Sequence, residues 1–127
     1  MEIDVYKTWE PIVGLPDNFY FYGLNNVGGD LIILLKEPQS ERILEIKFSG
    51  ILGYRVVQEA GRLKTLYENK SLVGFETSTD SEFLRWFKEE SRNMFDDWDL
   101  THYVICNLDN IIDIISGPPV TVEWKVA

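Results

Sequence analysis

Few residues in this 127-residue chain have the type and spacing to do chemistry. His102 and Cys106 are its single histidine and single cysteine. Four apart on one strand, they would share a face but stand about 13 Å from each other. That is too far for a thiolate–imidazole pair. The expectation is a buried structural Cys106 and a hydrogen-bonded, strand-end His102. Asp96-Asp97-Trp98-Asp99, followed by His102, offers metal-ligating types. A calcium loop, however, needs a glutamate at its twelfth position, where this chain has Asn107. Zinc is served worse, with one His and no neighbouring Cys. Phosphate-loop, dinucleotide, nucleophile-elbow and zincin signatures are missing, and Glu89-Glu90 are helix neighbours that point apart. No catalytic residue, cofactor or metal is expected, and a single cysteine excludes an internal disulfide.

What the residue types do supply is charge. From Glu76 to Asp113 ten acidic residues face three basic ones, so this window carries −7 of the chain's −9. With a pI near 4.5 the chain should be repelled by phosphate backbones, which disfavours direct nucleic-acid binding. Acid clustering of this kind steers basic protein partners instead. Within the window Trp86 stands about 60° outside its helix's apolar stripe, between Glu82 and Glu90. A tryptophan among carboxylates has the composition of an interface anchor, although packing over the core edge is the more ordinary use of such a residue. The candidate partner-binding set is Glu82, Trp86, Glu89, Glu90, Asp96, Asp97 and Asp99.

The elements that must position these residues read as an α+β single domain over 1–127, an antiparallel sheet with one main helix packed on it. Strand-length pieces fall at Val5 to Trp9 and Phe19 to Tyr22 within a turn-rich stretch to residue 29. Asp30 to Lys36 reads as a strand buried on both faces, and Ile43 to Ser49 alternates cleanly after the Pro38 turn. A bulged continuation through Tyr54 and Val56 should lead to a helical turn near Arg62 to Tyr67. Leu72 to Thr77 is the next strand. Thr79-Asp80-Ser81-Glu82 has capping-box spacing, predicting a helix over about 80–95 with Thr79 as its cap and Phe83, Leu84, Phe87, Ser91, Met94 and Phe95 inward. His102 to Leu108 and Ile111 to Ile115 should form a hairpin, and Gly117-Pro118-Pro119 should break the chain before Val120 to Val126.

Three pieces carry a resemblance: Phe48-Ser49-Gly50-Ile51-Leu52-Gly53-Tyr54-Arg55-Val56-Val57-Gln58-Glu59, Ser81-Glu82-Phe83-Leu84-Arg85-Trp86-Phe87, and His102-Tyr103-Val104-Ile105 with Asp109-Asn110-Ile111-Ile112-Asp113. Over about residues 43–126 the chain resembles small bacterial immunity proteins of polymorphic toxin and contact-dependent growth inhibition systems. The resemblance implies a protein that binds one cognate toxin domain, often a nuclease and therefore basic, and blocks it; it carries over no catalytic residue. Residues 1–42 lie outside it. A non-catalytic adaptor or structural domain is the alternative, and an enzyme with a dispersed site ranks last. The amino-terminal residues show no basic and apolar leader pattern, and the longest apolar run, Leu31 to Leu35, is too short for a span. A cytoplasmic protein with no membrane association is therefore expected.

Overall fold

The computed structural model describes residues 4–126. Seven strands form one antiparallel sheet in the order β1-β5-β6-β7-β4-β3-β2. The strands are β1 (Val5–Thr8), β2 (Tyr20–Val27), β3 (Asp30–Lys36), β4 (Arg42–Val57), β5 (Phe75–Asp80), β6 (Thr101–Cys106) and β7 (Ile111–Val126). A 3-10 turn at Glu59–Arg62 runs into α1 (Leu63–Glu68), and α2 (Glu82–Glu90) joins β5 to β6. The antiparallel single domain is as expected; its helical part is smaller, two short helices on a molecule that is mostly sheet.

Alternation divides the sheet into two packed faces. Leu31, Ile33 and Leu35 join Leu44, Ile46, Phe48, Ile105, Ile112 and Ile114 in one buried cluster, capped by Phe19 from the loop before β2. Phe19 stacks on Phe75 at 5.8 Å between ring centres. Successive residues of a strand point to opposite faces, so Ile115 turns the other way, against Phe83, Leu84 and Leu100 under α2. Each fully buried isoleucine contributes about 1.5–3 kcal/mol of transfer free energy. Both helices cover this second face, with Leu66 of α1 packed against Leu72, Val104 and Ile111.

Four expectations are corrected. Strand β2 runs through Asn25 and Asn26 and turns at Gly28 and Gly29, whose φ angles of 63° and 85° suit a tight hairpin that favours glycine. Strand β5 starts later than expected and reaches Asp80, so Thr79 cannot cap α2. The cap is Ser81, in extended backbone, whose Oγ accepts the Leu84 N–H at 3.2 Å. Helix α2 stops at Glu90 because Arg92 and Asn93 take left-handed φ of 52° and 61°, leaving Met94 exposed and turning Phe95 back onto Phe87 at 5.5 Å. Finally, β7 passes unbroken through Gly117-Pro118-Pro119. The pairing with β4 shifts there, Gly50 facing Gly117 and Phe48 facing Val120, so the prolines fall in a bulge that asks no N–H of them.

Candidate functional site

Helix α2 and the turn after it form one exposed surface. Phe83 and Leu84 anchor the helix, and Phe95 packs between Phe87 and Trp98, at 5.5 Å and 5.0 Å, folding residues 91–99 back on it. Three large apolar side chains remain outside: Trp86 is 53% exposed, Met94 76% and Trp98 54%. All six carboxylates of the candidate set are exposed as well. Glu89, Glu90, Asp96, Asp97 and Asp99 make no ion pair among the described residues, whereas Glu82 reaches Lys64 at 3.9 Å. Much of the remaining acid window is consumed structurally. Glu76 and Asp113 are buried, Asp80 pairs with Arg85, and Asp109 accepts the Phe21 N–H.

Trp86 faces two environments. Its ring lies parallel to Phe83 at 5.7 Å, and together they form one wall of a cleft of about 660 Å³ between α2, α1 and the end of β4. The same cleft is lined by Arg55, whose guanidinium carbon lies 4.2 Å over the Phe83 ring, and by Arg62, Lys64 and Leu52. The ring of acids expected around Trp86 is therefore open on one side and cationic there. Sequence spacing along a helix could not reveal this, because the cations come from β4, the 3-10 turn and α1.

Beneath the cleft lies a buried polar chain. Arg55 is paired in register with Asp113, and its Nε donates to Asp113 Oδ2 at 2.8 Å. Arg62 Nη1 donates to the same oxygen. Asp113 Oδ1 accepts from His102 Nε2 at 2.7 Å, and His102 Nδ1 meets Ser81 Oγ at 2.7 Å. A carboxylate can only accept, so Nε2 carries a proton; in the neutral tautomer the Ser81 hydroxyl donates to Nδ1 and accepts from Leu84, each atom being used. Burial would raise the Asp113 pKa, but the hydrogen bond and electrostatic pull of His102 and the charges of Arg55 and Arg62 hold it well below the usual carboxylate range. Ser81, His102 and Asp113 are fully buried. These three types recur in hydrolase triads, yet here serine and aspartate sit on the opposite imidazole nitrogens from that arrangement, and Ser81 Oγ is committed to a helix cap.

Cys106 lies apart from His102, and burial first, then the nearby Glu76 and Asp113 carboxylates, push its thiol up to about 12. Among the described residues no group of three or more His, Cys, Asp or Glu side chains is gathered to hold a metal, and no helix is long and apolar enough to cross a membrane. Sequence reasoning missed Ser81, Arg55, Arg62 and Asp113. The one available signal was Asp113, an acid inside the apolar run Ile111-Ile112-Asp113-Ile114-Ile115, where a charge needs a buried partner. Compared with known protein families, characterised proteins and solved structures, the chain shows no match.

Proposed function

We propose that this protein is a non-catalytic binding module of the immunity type, which docks on one basic protein domain, a toxin domain such as a nuclease, and blocks it. The observation that carries this reading is the surface of residues 82–99. Trp86, Met94 and Trp98 project from a short helix and turn that also display five carboxylates with no ion pair among the described residues. Exposed aromatics beside unpaired acids suit an anchor-and-rim interface against a basic partner. A phosphate-handling active site is basic by construction, so an acidic surface would both reach it quickly and cover it. The sequence resemblance over about residues 43–126 supports the same class. A non-catalytic role is supported by the burial of Ser81, His102 and Asp113, where no substrate atom could approach.

The test is co-expression with the product of the adjacent open reading frame, read by co-purification and by rescue of growth. Wild-type protein should co-purify and rescue. Trp86→Ala combined with Trp98→Ala should weaken binding by about 2 kcal/mol or more, chiefly through faster dissociation, in a variant whose circular dichroism matches the wild type. A folded double variant that binds and rescues as well as wild type would place the interface elsewhere.

A further inference from the structure

The cleft beside Trp86 has its own chemistry, opposite in sign to the surface around it. Asp113 Oδ2 is shared by two guanidinium groups, Arg55 and Arg62. Two cations on one carboxylate leave a positive charge uncompensated at the cleft wall. Arg62 is only 8% exposed, and with Nε directed to Thr65 Oγ1 and Nη1 to Asp113, its Nη2 has no hydrogen-bond partner among the described residues. Both terminal nitrogens of Arg55 are likewise without one, while its Nε holds the group in place and its carbon lies 4.2 Å over the Phe83 ring. Lys64 adds a third cation at the rim, drawn partly away by Glu68 at 3.3 Å. These are fixed N–H donors in a half-enclosed space, held by a salt bridge rather than by solvent.

We propose that this cleft binds a small organic monoacid, one carboxylate carried on a flat apolar body. Guanidinium N–H pairs match the two oxygens of a carboxylate in plane, which a lysine alone does not. The apolar body is called for by the rest of the lining, which includes Leu52, Phe87 and the parallel Phe83 and Trp86 rings. A volume of about 660 Å³ falls in the range of small-ligand sites. Single charge follows from the balance: three cations, Arg55, Arg62 and Lys64, stand against Asp113 and Glu82, an excess of at most one because Glu68 also draws on Lys64, and a phosphate dianion would exceed it. The cleft is complete within one chain, and it shares Glu82 and Trp86 with the proposed docking surface, so a docked partner would cover it.

The experiment titrates the full-length, isotope-labelled protein and follows the Trp86 indole N–H and Arg55 Nε–H resonances. The probes are 3-phenylpropionate, its neutral amide, acetate and inorganic phosphate. The ring-bearing acid should saturate with a Kd on the order of 1 mM or tighter, as its size allows. The amide and acetate should each bind at least about tenfold more weakly, one lacking the charge and the other the body. Arg55→Met should reproduce the loss for the acid; if that variant is misfolded by its spectrum, Lys64→Ala and the amide comparison on wild-type protein still decide. Equal binding of acid and amide would overturn the anion site. Equal binding of acetate or phosphate would overturn the apolar body, and no saturable shift with any probe would overturn the site altogether.

Discussion

Asp113 receives three donors on two oxygens, from His102, Arg55 and Arg62. Removing one partner of a buried ion pair leaves the others uncompensated, so Asp113→Asn should cost about 3–5 kcal/mol, measured by urea unfolding. The pH dependence follows in sign. The folded carboxyl is held below its ordinary value of 3.8, so its contribution is fully present above that value and is lost as pH falls from there toward the lower folded value. The wild-type unfolding midpoint should begin to drop below about pH 5, and Asp113→Asn should show a shallower acid limb. Cys106 gives a second prediction at this scale. With its thiol pushed up to about 12 by burial and neighbouring acids, alkylation of native protein at neutral pH should be far slower than of the unfolded chain. Reading His102 as a hydrogen-bonded strand residue was possible from its neighbours. Its partners were not legible, because they depend on which strands become adjacent.

Elements were more legible than their ends. The alternation in Ile43 to Ser49 and the bulged run to Val57 gave β4 its length, since apolar side chains there must face one way. The helix boundary differs because periodicity continues through Met94 and Phe95, whereas left-handed Arg92 and Asn93 turn the chain back and set Phe95 against Phe87. Energies should follow the observed packing rather than the wheel. Leu84→Ala, at a nearly fully buried position, should cost about 2–5 kcal/mol. Met94→Ala, mostly exposed, should stay within about 0.5 kcal/mol of wild type in the same thermal or urea assay. Gly50→Ala tests the β4–β7 crossing. An added Cβ there would meet the Gly117 and Pro118 carbonyl oxygens of β7 at 3.2 and 3.3 Å, and backbone cannot yield as the end of a flexible side chain could. A drop in unfolding midpoint is expected, and an unchanged one would mean that the bulge is softer than it looks.

Across the whole molecule, charge is sorted rather than spread. Glu76, Asp80, Asp109 and Asp113 are engaged by the fold, while the carboxylates on residues 82–99 stand outward. Composition alone could give the excess of −9 but not this sorting, which follows from strand pairing. If the 82–99 surface steers a basic partner, association should slow as salt rises, because charge interactions are screened beyond roughly 8 Å at physiological ionic strength. Asp97→Lys or Asp99→Lys should lower the association rate while changing dissociation little, as stopped-flow mixing would show. Association that is indifferent to both salt and these substitutions would remove the steering argument.

The order of strands in the sheet bears on how the chain is made. The first strand pairs with the fifth, Val5 opposite Asp80, and β4 pairs along its whole length with β7. As the chain leaves the ribosome, β2, β3 and β4 can form a meander at once, because each joins its predecessor through a short turn. Strand β1 must wait about 70 residues for its neighbour, and the apolar edge of β4 stays open until residues 111–126 emerge. Through that interval Leu44, Ile46 and Phe48 lack half of their cover. A nascent chain halted before β6 should therefore be captured by chaperones, and release should come only when β7 slides into the gap between β4 and β6.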